Sequence, residues 1–315
     1  KPAAHDADAS HCPPETILQQ AAELGLMLYA VPETHGGIAS NDTLITQMIA
    51  FEALGYGDFG LALALLAPVS VANLLTRFGS DQQQSRYLKA LAEDSALMAS
   101  IACQEPWVGF NPQQLATQAV RTANGFVLTG EKSLVVMGQK ADLLVVAAQR
   151  AGKPAVFLVD TSSKGVYAAP EPAMGMKAAA TARLRFEQVE LSTDALLEAD
   201  YQQFLDLGNL ALCSTALGVC ESTLEYVIRY VNERTAFGEP ISHRQAVAFM
   251  VADMAIELDA MRMLVWRACA RAEAGQSYHR EAHLARILCQ EKAMKIGTDA
   301  VQLLGGHGYT KEHPV

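Results

Sequence analysis

Hydrophobic positions in the first part of the chain recur at helical spacing. From Pro14 to about Glu93 they fall three and four residues apart, as in TILQQAAELGLMLYAV and TLITQMIAFEALGYGDFGLALALL, with an interruption at Gly36 and Gly37. This spacing predicts several packed helices.

The hydrophobic period changes at about Met98 and stays changed to about Leu197. Short alternating or β-branched runs replace the helical pattern, and turn residues at 123–125 and 150–153 separate some of them. The runs are GFVLTG, LLVVAAQ, AVFLVD, GVYAAP and ARLRFEQVEL. This pattern predicts a β domain.

Long amphipathic segments follow from about Gln203, and we expect them to form a helical bundle. They are LALCSTALGVCESTLEYVIRYVNER, QAVAFMVADMAIELDAMRMLVWRACARAEAG and EAHLARILCQEKAMKIGTDAVQLLGG. The predicted class is α+β, with an N-terminal helical domain over 1–97, a β domain over 98–198 and a C-terminal bundle over 199–315. This order lacks the alternation of strand and helix that a Rossmann sheet requires, which disfavours a nicotinamide enzyme.

Composition narrows the class of protein and of partner. Half of the 315 residues are apolar and 18% are charged, which is typical of a globular chain. The formal net charge of -10 disfavours a nucleic-acid surface, because such surfaces depend on lysine and arginine. The six cysteines form no CxxC pair and predict reduced thiols that fill the core in a reducing compartment. No uninterrupted apolar stretch reaches about 18–20 residues, and the polar start is not a signal peptide, so we expect no membrane span.

Stretches along nearly the whole chain resemble segments of the acyl-CoA dehydrogenase family. LGLMLYAVPETHGG resembles the family's opening, CQEP with Gly109 resembles its TEPxxGSD loop, GFVLTGEKSLVVMGQKADLLVV resembles its GxKxWITNGxxAD strand pair, and ARLRFEQVEL resembles the strand that closes its barrel. In the last domain, NERTAFGEPISHRQAVAFMVADMA resembles ERxxFGxxIxxxQxxxxxLADM, and DAVQLLGGHGYTKEHP resembles QxxGGxGYxxEYP. The resemblance implies the family's fold, with a helical domain, a β-barrel and a four-helix-bundle-type domain.

The resemblance also implies an FAD site that two surfaces share, with the flavin ring against the barrel and the adenosine diphosphate on helices of a neighbouring subunit. The matching positions are Cys103, Gln104, Gly109, Phe110, Leu134, Val136, Arg234, Phe237, Gln245, Gln302, Gly305 and Gly306. Arg234, Phe237 and the pair Gly305 and Gly306 have plainer interpretations that stay open. Arg234 suits a diphosphate or is a solvated arginine at a helix end, Phe237 is a wall for adenine or a core residue, and the two glycines approach phosphate or cap a helix.

Several ring-side positions depart from the family pattern. Gln104 stands in place of the threonine before Glu-Pro, and Phe110 and Asn111 replace a serine and an aspartate. Leu134 and Val136 replace the tryptophan and threonine of the WIT strand, so an aromatic stack and a hydroxyl donor are lost. We therefore expect FAD to be weakly held or lost.

The resemblance implies a glutamate base beyond Val315 in most members. A minority of members place it on the first long C-terminal helix, at the position of Gly208, which has no side chain. Asp206, two residues away, is a weaker candidate. The catalytic base thus stays unassigned within the sequence.

The function that the resemblance implies is FAD-dependent dehydrogenation of an acyl-CoA thioester, with electrons passed to an electron-transferring flavoprotein. The alternative is a non-catalytic homologue that acts as a partner subunit or acyl-CoA-binding module, and an oxidase or monooxygenase on the same fold is a third reading. We expect a homodimer or homotetramer in the cytoplasm, or in the mitochondrial matrix if the source is eukaryotic.

Two clusters of polar residues carry no predicted chemistry. His279 and His283 stand four apart and could share a metal, but a solvated helix start explains them better. Asp253, Glu257 and Arg262 form the charged face of a helix.

Overall fold

A computed structural model describes residues 3–39, 43–93 and 97–313. The chain forms two compact units, one made of residues 1–41 and 60–204 and the other of residues 42–59 and 205–315, called here the sheet unit and the bundle unit. The helices before the sheet are α1 (Ala4–Ser10), α2 (Glu15–Glu23), α3 (Leu26–Tyr29), α4 (Leu44–Gly55), α5 (Phe59–Phe78) and α6 (Asp81–Glu93).

Eight strands build the core of the sheet unit. They are β1 (Ala99–Ala102), β2 (Gln118–Arg121), β3 (Gly125–Val135), β4 (Leu143–Arg150), β5 (Lys153–Asp160), β6 (Val166–Pro170), β7 (Ala182–Ser192) and β8 (Leu196–Leu197). Their order is β6-β7-β3-β2-β4-β5-β8, and β1 pairs in parallel with β4. The rings of Phe126 and Phe157 meet edge to face at 5.1 Å within the buried cluster between the strands.

The bundle unit contains α4 and three long helices, α7 (Tyr201–Glu233, from residue 205), α8 (Gln245–Glu273) and α9 (His279–Leu304). A short hairpin of β9 (Thr235–Ala236) and β10 (Glu239–Pro240) joins α7 to α8. Buried residues on α7 alternate in steps of three and four, which is the pattern of helices packed side by side. They are Leu210, Cys213, Leu217, Cys220, Leu224, Val227 and Val231.

Glycines let α4 approach α7 closely. A Cβ at Gly218 would lie 1.9 Å from the carbonyl oxygen of Glu52, and a Cβ at Gly55 would lie 2.1 Å from that of Thr215. Because such distances are impossible for real side chains, both positions require glycine at this helix crossing.

The sequence prediction of helices, then strands, then helices is confirmed. Each of the five runs predicted as strands coincides with a strand from β3 to β7, except that Gly165 of the fourth run precedes β6. Each of the three amphipathic segments falls mainly within α7, α8 or α9. Four of the six cysteines lie buried in the bundle unit, which agrees with the predicted core-filling role, whereas Cys12 and Cys103 are only partly buried.

Two helices in the described part of the chain are long and apolar enough, by length and composition, to cross a membrane. They are α5 and α7. About half of the most apolar stretch of each helix is buried inside the protein, 56% in α5 and 50% in α7. The expectation that no stretch is long enough to cross a membrane is therefore wrong by this criterion, because it considered only uninterrupted apolar runs. Core helices of water-soluble proteins meet the same criterion.

Arg262 corrects the prediction of a plain charged face on α8. Its side chain is only 15% exposed, and it donates to Glu52 on α4 at 2.7 Å and to Glu221 on α7. Burial opposes the charge of Arg262, but the two carboxylates outweigh it and hold its pKa above its ordinary value. This guanidinium therefore joins three helices of the bundle unit.

Candidate functional site

A buried ion pair anchors the loop that carries Gln104. The ammonium of Lys132 on β3 lies 2.9 Å from Glu105 Oε1, and the two side chains are 0% and 1% exposed. Lys132 also donates to the carbonyl of Cys103 at 3.1 Å, and Glu105 accepts the backbone N–H groups of Ala116 and Thr117 at 2.7 and 2.9 Å. Three donors thus converge on one carboxylate, as a buried charge requires.

The same contacts set the charge states of the pair. Burial raises the pKa of Glu105, but the N–H of Ala116, the ammonium of Lys132 and the N–H of Thr117 outweigh it and hold that pKa below its ordinary value. Burial lowers the pKa of Lys132, and Glu105 opposes this effect. Burial also raises the pKa of the Cys103 thiol. Cys103 therefore carries no thiolate at neutral pH and fills space beside the pair.

Strand β3 bulges outward next to this anchor. It pairs with β7 at Lys132 and again at Val135, with a shift of register between them, so two residues of β3 stand opposite one of β7. Leu134 in the bulge has a φ of 54° and a side chain that is 50% exposed. A left-handed backbone costs a residue other than glycine about 1–2 kcal/mol, so other contacts must hold it.

Two groups hold the bulge. The N–H of Ser133 donates to the carbonyl of Gln104 at 2.9 Å. On the other side, Glu171 accepts the Ser133 hydroxyl at 2.7 Å and the Leu134 N–H at 2.5 Å. Hydrogen bonds to a charged group contribute about 1.5–3 kcal/mol each, which is enough to offset the backbone cost at Leu134.

The bulge and the anchored loop bring Gln104 beside Ser133 and Leu134, so two of the positions predicted to contact the flavin ring are neighbours. Gln104 lies beside the bulge through its carbonyl, and the carbonyl of Val136 accepts the Ser100 hydroxyl at 2.6 Å. Gly109 is exposed with a φ of 74°, and Phe110 is half-buried next to it. The hydroxyl of Tyr201 donates to Pro112 O at 2.7 Å and fixes the far side of the loop.

In the bundle unit, two predicted residues lie exposed at the end of α7. Arg234 makes no side-chain hydrogen bond or ion pair with any residue that the structure describes. Phe237 turns the β9–β10 hairpin with a φ of 56° and is 95% exposed, so a core role for it is wrong. The guanidinium of Arg244 lies 5.9 Å from the centre of its ring.

The remaining predicted residues lie at the start of α8 and the end of α9. Gln245 is the first residue of α8, and Gln302 is exposed in the last turn of α9. Gly305 caps α9 by donating its N–H to the Gln302 carbonyl, so the helix-cap interpretation holds, while Gly306 stays exposed beside it. Tyr230 donates to the Leu304 carbonyl at 3.2 Å, which brings the end of α9 to the α7 turn before Arg234.

The candidate base positions give no free carboxylate on α7. Asp206 is buried and lies 3.0 Å from His279 Nδ1, the first residue of α9. The predicted solvated helix start is confirmed, because α9 begins at His279, whose side chain is 53% exposed, and His283 is exposed as well; the bond to a buried acid is an additional contact. Gly208 faces open space, since a Cβ there would meet no atom within 4 Å. The base expected beyond Val315 lies outside the described residues.

Sequence reasoning missed three residues that build the site. The pairing of Glu105 with Lys132 had a signal, since both match ionisable positions of the family motifs, the glutamate of TEPxxGSD and the lysine of GxKxWITNGxxAD. Glu171 had none, because it follows β6 and meets the bulge across 37 residues of sequence. In the described part of the chain, no group of three or more His, Cys, Asp or Glu side chains is arranged to hold a metal ion.

Comparisons with known proteins match the whole chain. The N-terminal domain of acyl-CoA dehydrogenase matches residues 1–95, its middle domain matches residues 100–189, and its C-terminal domain matches residues 199–315. The chain is 32% identical over 327 residues to cyclohex-1-ene-1-carbonyl-CoA dehydrogenase of Geobacter metallireducens, covering 100% of this chain and 86% of that relative.

Solved structures match the fold as closely. Butyryl-CoA dehydrogenase of Megasphaera elsdenii has a TM-score of 0.88 and 27% identity, over 99% of this chain and 85% of that one. A chain in a structure described as the electron transferring flavoprotein of Acidaminococcus fermentans has a TM-score of 0.89 and 30% identity, over 99% and 85% of the two chains.

Proposed function

Because this chain belongs to the acyl-CoA dehydrogenase family, we propose that it oxidises an acyl-CoA thioester between its α and β carbons with FAD. The family is one of oxidoreductases that use this flavin. The relatives act on cyclohex-1-ene-1-carbonyl-CoA and butyryl-CoA by name, so the proposed substrate is a short or cyclic acyl group on coenzyme A.

The observation that carries the proposal is the exposed pair at the end of α7. A diphosphate needs a cation with unused donors, and Arg234 meets this requirement among the described residues. An adenine ring needs an accessible apolar face, and Phe237 is almost fully exposed. An exposed glycine such as Gly306 lets a phosphate oxygen approach its backbone N–H closely, because it has no Cβ. These residues fit the adenosine diphosphate half of FAD.

The protein surface proposed to contact the flavin ring is apolar and offers few hydrogen-bond donors. Leu134 offers an exposed aliphatic side chain, and Gln104 carries a half-buried amide whose contact to the Glu105 carbonyl is long at 3.4 Å. That amide is available as a donor to a ligand. Loss of one hydroxyl contact costs about 0.5–1.5 kcal/mol and loss of an aromatic stack costs a similar amount. We therefore propose that FAD binds, but with lower affinity than the family pattern would give.

Dehydrogenation needs a carboxylate base that removes a proton from the α carbon. When bound, FAD accepts the hydride that leaves the β carbon. Asp206 is held by His279, and we assign it no role as a base. No described residue is assigned as the base, which the resemblance to the family implies lies beyond Val315. The proposed role of the sheet unit is to hold Gln104 and Leu134 in place. The ion pair of Lys132 and Glu105 contributes to this, and it is shielded from solvent because both side chains are buried.

Electron-transferring flavoprotein is the proposed electron acceptor, because a chain in the Acidaminococcus fermentans structure of that name shares this fold. A second copy of the chain is the other proposed partner. Helices α8 and α9 each expose a row of large apolar side chains that a homodimer or homotetramer would cover. The exposed residues are Phe249, Ile256, Met263 and Trp266 on α8, and Leu284, Ile287 and Met294 on α9. The proposed location is the cytoplasm or the mitochondrial matrix.

The test is a flavin titration of the purified full-length protein followed by assays with butyryl-CoA and cyclohex-1-ene-1-carbonyl-CoA. We expect an absorption band at about 450 nm that bleaches on anaerobic addition of substrate, since hydride transfer reduces the flavin. Turnover with electron-transferring flavoprotein and none with oxygen alone would distinguish a dehydrogenase from an oxidase. A colourless protein that binds acyl-CoA but no FAD would instead support the non-catalytic homologue.

A further inference from the structure

We propose that Glu171 is a positioning residue for the flavin-facing surface of the sheet unit. Its carboxylate fixes the bulge at Ser133 and Leu134, and the bulge sets where Leu134 and Gln104 present themselves to the flavin ring. The proposal rests on the proposed function, because it takes this surface to receive FAD.

Each carboxylate oxygen of Glu171 accepts one hydrogen bond from the bulge. One carboxylate oxygen accepts the Ser133 hydroxyl and the other accepts the Leu134 N–H. The Glu171 side chain is 13% exposed, and Arg183 lies 3.7 Å from it as a partial countercharge. The backbone N–H of Glu171 donates to the Thr181 carbonyl at 3.0 Å, so the residue itself is fixed before β7 begins.

The bulge depends on these bonds because β7 cannot supply them. Lys132 pairs with Leu184 and Val135 pairs with Ala182, which leaves no ladder partner on β7 for Leu134. Without Glu171, the Leu134 N–H would lose its acceptor while the backbone keeps its left-handed φ. Relaxation of the bulge would then move Leu134 and would also disturb the hydrogen bond between the Ser133 N–H and the Gln104 carbonyl.

The direction of Leu134 distinguishes positioning from general stabilisation. The side chain points out of the core and is half exposed, so the bulge buries little apolar surface. The conformation that Glu171 holds therefore contributes little to the core. Its effect is to place Leu134 on the surface of the sheet unit. Such strained backbone, held by its surroundings, is characteristic of binding sites.

The test compares Glu171→Ala, Glu171→Gln and Glu171→Asp with a matched control, Glu187→Gln. Glu187 lies on β7 of the same sheet and pairs with Arg185 at 3.2 Å on the surface. Glutamine keeps the shape of Glu171, and its carbonyl can accept from Leu134 while its amide donates to the Ser133 oxygen. Aspartate is too short to keep both bonds. Hydrogen exchange is measured on the cofactor-free protein over residues 131–137, with β4 as the internal reference, and FAD affinity by titration.

For Glu171→Ala we expect exchange over residues 131–137 to rise at least about tenfold while exchange in β4 is unchanged. The Kd for FAD should rise at least about tenfold, which corresponds to about 1.4 kcal/mol. In the FAD-loaded enzyme, kcat should fall while the KM for acyl-CoA changes less than about twofold, because misplaced flavin slows the chemical step. Glu171→Gln and Glu187→Gln should stay close to the unmodified protein, and Glu171→Asp should resemble Glu171→Ala.

The proposal is overturned by unchanged exchange over residues 131–137 in Glu171→Ala, or by an equal rise in β4, which would show general destabilisation. An unchanged Kd for FAD overturns it too, and so does Glu171→Gln behaving like Glu171→Ala. If the unmodified protein binds no FAD, the proposed function fails and the flavin part falls with it. Exchange in the cofactor-free variants then still decides whether Glu171 holds the bulge, so the two failures are distinguishable.

Discussion

Replacement of Glu105 by alanine should destabilise the sheet unit more than any change to a surface charge. The substitution removes the acceptor of three donors and leaves the buried ammonium of Lys132 without its countercharge, with only the carbonyl of Cys103 as a partner. Breaking a buried ion pair from one side costs about 3–5 kcal/mol. The exposed pair of Lys89 and Glu93 is the control, because its side chains are 63% and 67% exposed and such pairs contribute about 0–1 kcal/mol.

Urea unfolding in a Trp266→Phe background measures this effect, since Trp107 then reports on the sheet unit alone. We expect Glu105→Ala to lower the free energy of unfolding by about 3–5 kcal/mol. In a thermal scan this corresponds to roughly 6–20 °C for a unit of this size. A loss below about 1 kcal/mol, equal to that of Lys89→Ala, would refute the reasoning that Glu105 is the countercharge that the buried Lys132 requires.

The pH dependence gives an independent check on Glu105. Its pKa in the folded protein lies below its ordinary value of about 4.3, so its contribution to stability is full above that value. The contribution is lost as the pH falls through the lowered pKa. The unmodified protein should therefore lose stability in this acid range by a step that Glu105→Gln lacks.

Three further variants test the cofactor site and the base. Arg234→Ala should weaken FAD binding by about 1.5–3 kcal/mol in a titration, because a hydrogen bond to a charged group is lost, and an unchanged Kd would remove Arg234 from the site. Leu134→Trp with Val136→Thr should raise FAD affinity by restoring a stacking face and a hydroxyl, so weaker binding would mean that the bulge cannot accept the ring. Gly208→Glu should raise stability by about 0.5–1 kcal/mol, because the site is open and glycine is a poor helix former. If the chain lacks a base, it should also create dehydrogenation that Gly208→Gln does not.

The fold could be predicted from the sequence because the hydrophobic period changes twice, near Met98 and near Gln203. The strands that the patterns missed are short: β1 and β2 have four residues each, and β8, β9 and β10 have two. A period of two cannot be recognised over so few positions. These strands form because a partner strand supplies their hydrogen bonds, which is information from the tertiary structure.

The site was predictable only where one residue matched one motif position. The resemblance located Gln104, Leu134 and Arg234, but it could not show that Glu171 fixes the backbone of Leu134 from 37 residues away. Likewise, the charged pattern on α8 did not indicate that Arg262 is bonded to Glu52 on another helix. Pairings of this kind depend on which elements pack together, and no local periodicity records them.

Helix α4 belongs to the bundle unit although it is translated long before α7 to α9. Its contact between Glu52 and Arg262 joins residues 210 positions apart. At a synthesis rate of about 5–20 residues per second, Glu52 leaves the ribosome roughly 10–40 s before its partner. Until α7 is synthesised, Met48 and Phe51, which are buried in the finished protein, have no other helix of the bundle unit to pack against. The nascent chain must therefore carry an exposed apolar helix through most of its synthesis, which makes α4 the segment that a chaperone would protect.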